Sequence, residues 1–326
     1  MLRRILRLAS LCFLCAGAWS LPSAAASPVQ QDLDQGRADQ ALAAIAITLG
    51  HNPNDAKAHN LRCRIYYQEE QWDQAIADCE AASKLTPGDS SFHLWLGRAY
   101  GKKAEHASLV SGYPLARRLR AEFELAVQLD PRNAEALADL GEFDVLAPAV
   151  VGGGMIRAEA VAQQLRGVDP SRALTLQARI AESKKDYPSA EADFRSAIQQ
   201  SSYPPDAWMD LAAFYRRRGR IDEMLTAAHT GASLDLNHGP ALVDGASNLA
   251  LAGREPQVAI QWLEQYLSSR AQREAAPAFV VRAQLADLLQ IQGDLKAAQL
   301  QLAEVHALAS AYRVPPCADA FARSGL

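Results

Sequence analysis

The chain has 326 residues, 49% of them apolar, 21% charged and 7% aromatic. That balance excludes intrinsic disorder over most of the length, and 19 Gly with 5 Cys exclude collagen-like and disulfide-scaffold classes. A formal charge of −4 and a pI near 6.0 leave no general footprint for nucleic acid. Alanine is abundant and β-branched residues are sparse, which favours closely packed helices over a sheet.

The first stretch reads as a targeting segment. Arg3, Arg4 and Arg7 precede an apolar run from Leu8 to Trp19, followed by Leu21-Pro22-Ser23-Ala24-Ala25-Ala26. A basic start, a short apolar run and small residues before a cleavage point form a secretory signal peptide, residues 1–26. The run is shorter than the roughly 20 residues a membrane span needs, so no integral span is expected after cleavage. Loss of three arginines takes the formal charge from −4 to −7. The expected location is the periplasm or beyond, and there Cys63 and Cys79 can form a disulfide or stay as small buried hydrophobes. Cys317 stands alone in a tail, residues 315–326.

Between these ends, residues 27–314, polar-Pro pairs punctuate apolar runs: Asn52-Pro53, Thr86-Pro87, Asp130-Pro131 and Asp169-Pro170. The prolines are spaced 34, 44 and 39 residues apart, a unit of 34 with insertions of 0, 10 and 5, and Pro204 follows after another 34. Within the first clear unit, Ala58, Leu61 and Ile65 make one helical stripe and Ala75, Ile76, Cys79 and Ala82 the next, with polar Glu69-Glu70-Gln71 between. Leu96-Gly97-Arg98-Ala99-Tyr100 and Trp208-Met209-Asp210-Leu211-Ala212-Ala213-Phe214-Tyr215 carry a small residue beside an aromatic, and Gly219 sits where a helix would close. These segments resemble the tetratricopeptide repeat, a helix–turn–helix unit of 34 residues. The resemblance implies an all-α solenoid of stacked antiparallel helix pairs, seven or eight units starting near Val29, Ala56, Ser90, Ala134, Ala173, Pro205, Gly239 and Phe279. Arg62 and Cys63 depart from it, standing where the family has Leu and Gly.

Two insertions lengthen successive units. One spans Lys103 to Leu115, with Gly112-Tyr113-Pro114 read as its turn; the other is Ala147-Pro148-Ala149-Val150-Val151-Gly152-Gly153-Gly154. Both are similar to insertions in exported bacterial tetratricopeptide proteins with an A-P-x-x-x-G-G-G loop. Gly152, Gly153 and Gly154 lack the Lys-Ser/Thr ending and preceding strand of a phosphate loop, so they read as a turn. Equivalent insertions in neighbouring units should lie close together.

No catalytic motif is present, and no cofactor or metal is expected. His59 and His93 lie 34 residues apart, which repeat equivalence explains without a metal. The candidate site is instead a surface. Asn60, Arg64, Tyr67 and Gln68 share one helical side, and one period on stand Arg98 and Lys102. The resemblance places that side on the concave groove, where the arginines would favour an acidic or C-terminal peptide segment. Arg216 and Arg217 make a second, weaker patch, and the family's two-carboxylate clamp is not reproduced. The expected function is therefore a non-enzymatic protein–protein interaction module of the cell envelope, binding a peptide through Asn60, Arg64, Tyr67, Arg98 and Lys102. The alternative is an assembly subunit docking through its convex face and loops, with Tyr113 and Gly152 to Gly154 as contacts. An enzyme is a third reading, with no residues to nominate.

Overall fold

The computed structural model describes residues 28–315. The signal-peptide reading of residues 1–26 and the tail from 316, with Cys317, lie outside the described residues.

Sixteen α-helices and one 3-10 turn form eight antiparallel pairs, with no strand among the described residues. In chain order the pairs are α1 (Pro28–Asp34) with α2 (Ala38–His51), α3 (Ala56–Gln68) with α4 (Trp72–Leu85), and α5 (Ser90–Glu105) with α6 (Leu109–Leu129). Next come α7 (Ala134–Leu146) with α8 (Met155–Arg166), α9 (Pro170–Ser183) with α10 (Tyr187–Gln200), and α11 (Pro204–Arg217) with α12 (Ile221–Leu234). The last are α13 (Pro240–Leu251) with α14 (Pro256–Ser268) and α15 (Ala278–Ile291) with α16 (Leu295–Leu308).

The polar-Pro turns do two jobs. Proline cannot continue the preceding helix, and two residues later Asp55, Asp89 and Asn133 cap the next one by accepting from its first-turn N–H groups. Each such cap is typically worth about 1 kcal/mol. Inside six of the eight pairs a left-handed residue follows the first helix; at Gly219, φ +69°, glycine takes that conformation without steric cost. Packing is close where small residues face aromatics. A Cβ added at Gly97 would lie 2.5 Å from the Phe123 ring, so this glycine sets the α5–α6 approach.

The departures at residues 62 and 63 have structural uses. Arg62 Nε donates to Asp78 Oδ2 across the α3–α4 pair at 2.7 Å, and Cys63 is bonded to Cys79 in a disulfide joining the same two helices. His59 and His93 are tie points built alike. Each sets Nδ1 against a carboxylate of the second helix, Asp78 or Glu122, and Nε2 against a turn carbonyl, Pro53 or Pro87.

One expectation about the insertions is corrected. Gly112-Tyr113-Pro114 is not a turn; it lies inside α6, because Ser108 caps that helix and starts it at residue 109. The solvent-exposed first turns around Val110 tolerate the hydrogen bond that Pro114 cannot donate. The turn itself falls at residues 106–108.

The stack does not end in open edges. Leu33, Ile45, Leu49, Ala58 and Ile65 of the first helices share one core with Phe279, Ala283, Val305 and Tyr312 of the last. The Phe279 and Tyr312 rings meet at 4.9 Å between centroids. A Cβ on Gly36, in the α1–α2 turn, would lie 2.4 Å from the Ala278 nitrogen, and the Ser310 N–H donates to Asp39 at 3.1 Å. The solenoid therefore closes into a ring, and its first helices face inward.

Candidate functional site

The inner wall carries a cavity of ≈ 690 Å³ at the junction of α1, α3 and α5 with the segment before α15. Arg64, Tyr67, Gln68, Arg98 and Lys102 line it, brought together by the 34-residue period. Asn60 does not join them. It is buried at 3% exposure and does not line the cavity, so its place on the binding wall is corrected.

Aromatic side chains missing from the sequence reading complete the wall. Tyr67 stands edge-on between Trp72 and Trp95, at 5.7 and 5.5 Å, and burial pushes its phenol pKa up. Both arginines lie over Trp95, Arg64 at 5.2 Å and Arg98 at 4.7 Å from the ring centroid, within cation–π range. Trp95 falls between Leu94 and Leu96, where the apolar run hides its inward direction.

The arginines are paired within the protein. Arg64 holds Glu274 with two hydrogen bonds, the Nε to Oε1 bond at 2.8 Å. Arg98 bonds Asp139 at 2.6 Å and Glu135 at 3.0 Å. Burial works against the Arg98 charge, yet these two carboxylates hold its pKa above the usual range. Lys102 meets Glu105 at 3.0 Å. The stripe is thus a set of matched pairs, in place of the unopposed basic surface that spacing implies.

Farther round the ring the first helices carry the opposite charge. Asp206 and Asp210 on α11 and Asp244 on α13 crowd together, the last two one 34-residue period apart. Burial, then the charge of Asp235, raises Asp206 to about 6; burial and Asp206 raise Asp210 to about 6. Burial, Asp206 and Asp210 push Asp244 to about 8. Arg216 and Arg217 do not form a patch: Arg216 donates to Asn248 at 2.9 Å and Arg217 pairs with Glu182 at 2.8 Å.

The loop candidates lie away from the cavity. Gly152, at φ +105°, packs against Arg120 of α6, so the second insertion touches the unit lengthened by the first. Arg157 donates to the carbonyls of Gly152 and Gly153 and lies 3.5 Å from buried Asp144, fixing the loop. Tyr113 is exposed on α6. Among the described residues no group of three or more His, Cys, Asp or Glu is arranged to hold a metal ion, and no helix is long and apolar enough to cross a membrane.

Against known proteins, the tetratricopeptide repeat family model matches residues 30–90 and 157–205. No curated protein sequence matches. Among solved structures, yeast Tom70 superposes with a TM-score of 0.52 at 16% identity over 83% of this chain, which spans about half (55%) of Tom70. A thermophilic tetratricopeptide protein of Thermus thermophilus has a TM-score of 0.47 at 20% identity, over 61% of this chain and 99% of its own. A tetratricopeptide repeat protein of Parabacteroides merdae gives 0.49 at 13%, over 83% and 96%. At these identities the Tom70 likeness is one of fold.

Proposed function

We propose that this chain, a member of the tetratricopeptide repeat family, is a non-enzymatic protein–protein interaction module of the cell envelope that holds a peptide segment on the ring's inner wall. The observation carrying this reading is the cavity itself: Arg64, Tyr67, Trp95, Arg98 and Lys102 converge there from two successive repeats. Aromatic faces offer apolar contact at low entropic cost, and paired arginines offer bidentate sites for a carboxylate. Export through a cleaved signal peptide accompanies the proposal and is checked by the mass of the purified envelope form, expected to begin near Ser27.

The pairing of Arg64 and Arg98 limits what an acidic ligand gains, because it must compete with Glu274, Asp139 and Glu135. The test is binding of a labelled acidic peptide to wild type and to Arg64→Gln/Arg98→Gln. Glutamine keeps donors in place and removes charge. Charge-assisted bonds contribute about 1.5–3 kcal/mol each, so a loss of about tenfold is expected after competition, with a shallower salt dependence. Equal affinity at low salt rejects the inner-wall site.

A second reading has its own observation. Val110, Leu146, Val150 and Ile156 are 87%, 67%, 71% and 85% exposed around the two insertions, an apolar edge that the ring leaves uncovered. In that reading the chain docks through this edge as an assembly subunit. Val150→Asp/Ile156→Asp should then abolish crosslinking to the envelope partner while Arg64→Gln/Arg98→Gln spares it.

A further inference from the structure

The segment of residues 269–277, between α14 and α15, forms one wall of the cavity and reaches across to α3. Glu274 reaches Arg64 across 210 residues of sequence and makes the two-bond carboxylate–guanidinium contact, with side chains only 13% and 16% exposed. Gln68 Nε2 donates to the main-chain oxygen of the same residue at 3.1 Å. One residue is therefore held by side chain and backbone together, at the head of a turn that the Ala276 N–H closes by donating to the Arg273 carbonyl at 3.0 Å. The positions that follow are small: Ala275 and Pro277 line the cavity, and Ala276 is tied back to the Tyr266 hydroxyl, which donates to its carbonyl at 2.7 Å. The grip is incomplete. Gln68 Oε1 is buried and accepts nothing, although the residue is only 8% exposed and lines the cavity. A side-chain amide can both donate and accept, and here only the donor is used.

We propose that this segment is a built-in ligand of the pocket, an Arg-Glu-Ala-Ala-Pro turn whose Glu274 contacts take the place of the partner's and are displaced by them. The inference rests on the inner-wall reading and sharpens it in two ways. It names the partner's recognition element as a turn that presents one acidic side chain followed by small residues. It also makes the resting state self-occupied. A tethered occupant competes at an effective concentration on the order of mM, so a free segment must bind better than the internal one to displace it. The unused acceptor on Gln68 supplies a way to do so: a partner whose main-chain N–H reaches Oε1 makes the bond that the internal segment leaves out. Tyr266 holds the main chain on both sides of Glu274, at the Arg273 nitrogen and the Ala276 carbonyl, so displacement exchanges the contacts of Glu274 and leaves the turn itself in place.

The probe is a fluorescent synthetic peptide with the sequence of residues 269–277, titrated into the full chain. Glu274→Gln should bind it at least tenfold more tightly than wild type. Adding Arg64→Ala to that variant should abolish the gain, and a peptide carrying Gln in place of its Glu should bind neither. In wild type, where folding is not in question, saturation with the peptide should shift the Arg64 Nε–H resonance as its carboxylate partner is exchanged. Equal affinity in wild type and Glu274→Gln, with binding lost on Arg64→Ala, removes the self-occupancy and leaves the inner-wall site standing. Absence of binding to a folded Glu274→Gln, or binding to wild type that leaves the Arg64 resonance unmoved, overturns the inference outright.

Discussion

The inner wall of the ring has an arginine sector and an aspartate sector, built by the same repeat and settled in opposite ways. Arg64 and Arg98 stand one period apart on α3 and α5; Asp210 and Asp244 stand one period apart on α11 and α13. Stacking like charges at a fixed period is unfavourable wherever solvent is thin. On the arginine side other segments bring carboxylates, Glu274 from before α15 and Asp139 and Glu135 from α7, and both guanidinium groups stay paired. On the aspartate side burial and the carboxylates of Asp206 and Asp210 act on Asp244, which is relieved by protonation, its pKa pushed up to about 8. The period decides where charges stack. The chain beyond the unit decides whether they are answered. The arginine sector is also stapled, by the disulfide from α3 to α4.

The staple is the first way to break the contrast. Reducing Cys63–Cys79, a crosslink between residues 16 apart, should cost about 3 kcal/mol by loop entropy, read by urea unfolding with and without reductant. Next is Arg98→Met, which leaves Asp139 without its main partner. Removing one member of a buried pair costs about 3–5 kcal/mol, and the partial exposure of this pair lowers the expectation to about 2 kcal/mol. The second change Asp139→Leu should recover most of that loss, measured as a double-mutant cycle.

The smallest effect sharpens the aspartate side. Asp244, Asp206 and Asp210 have folded-state pKa values raised above those of an unfolded chain, so the folded protein keeps protons that the unfolded one releases. Their contribution is present near pH 4 and is lost as pH rises towards about 8. Asp244→Asn should flatten that slope and stabilise the protein at pH 8, on the order of 1–2 kcal/mol after discounting for solvent on the inner face. His93, raised by its hydrogen bond to Glu122, also favours the lower pH, and keeping it intact in the variant isolates the aspartate share. A stability that is flat between pH 5 and 8 in wild type would reject the sector as described.

How much of this was legible in the residues follows from how local each feature is. Helix pairs starting at Ala56, Ser90, Ala134 and Pro170 follow from the polar-Pro turns and their Asp or Asn caps, signals contained within three or four residues. The Arg64, Tyr67, Arg98 and Lys102 wall followed from one helical face and one period. What failed needed distant information. Asn60 shares the helical side of Arg64, but it is buried against the rest of the chain, and no spacing within α3 reports that. Gly112-Tyr113-Pro114 has the composition of a turn, and the Ser108 cap upstream overrides it. The pairing of Arg64 with Glu274 depends on the summed rotation of the intervening repeats, which no single unit encodes.

The shared core of the first and last pairs changes how this molecule should come apart. An open stack loses its terminal units first, because each has only one neighbour, and partial fraying is its usual low-energy excursion. Here Phe279 and Tyr312 cover what would be the frayed end of the opposite pair, so every unit has two neighbours and the array has no weakest terminus. Denaturation should therefore be a single cooperative event in which end and middle helices exchange amide protons together. The same closure joins residues separated by most of the chain, a contact of very high order, so refolding should be slow at its last step, when the two ends of a nearly complete array find each other.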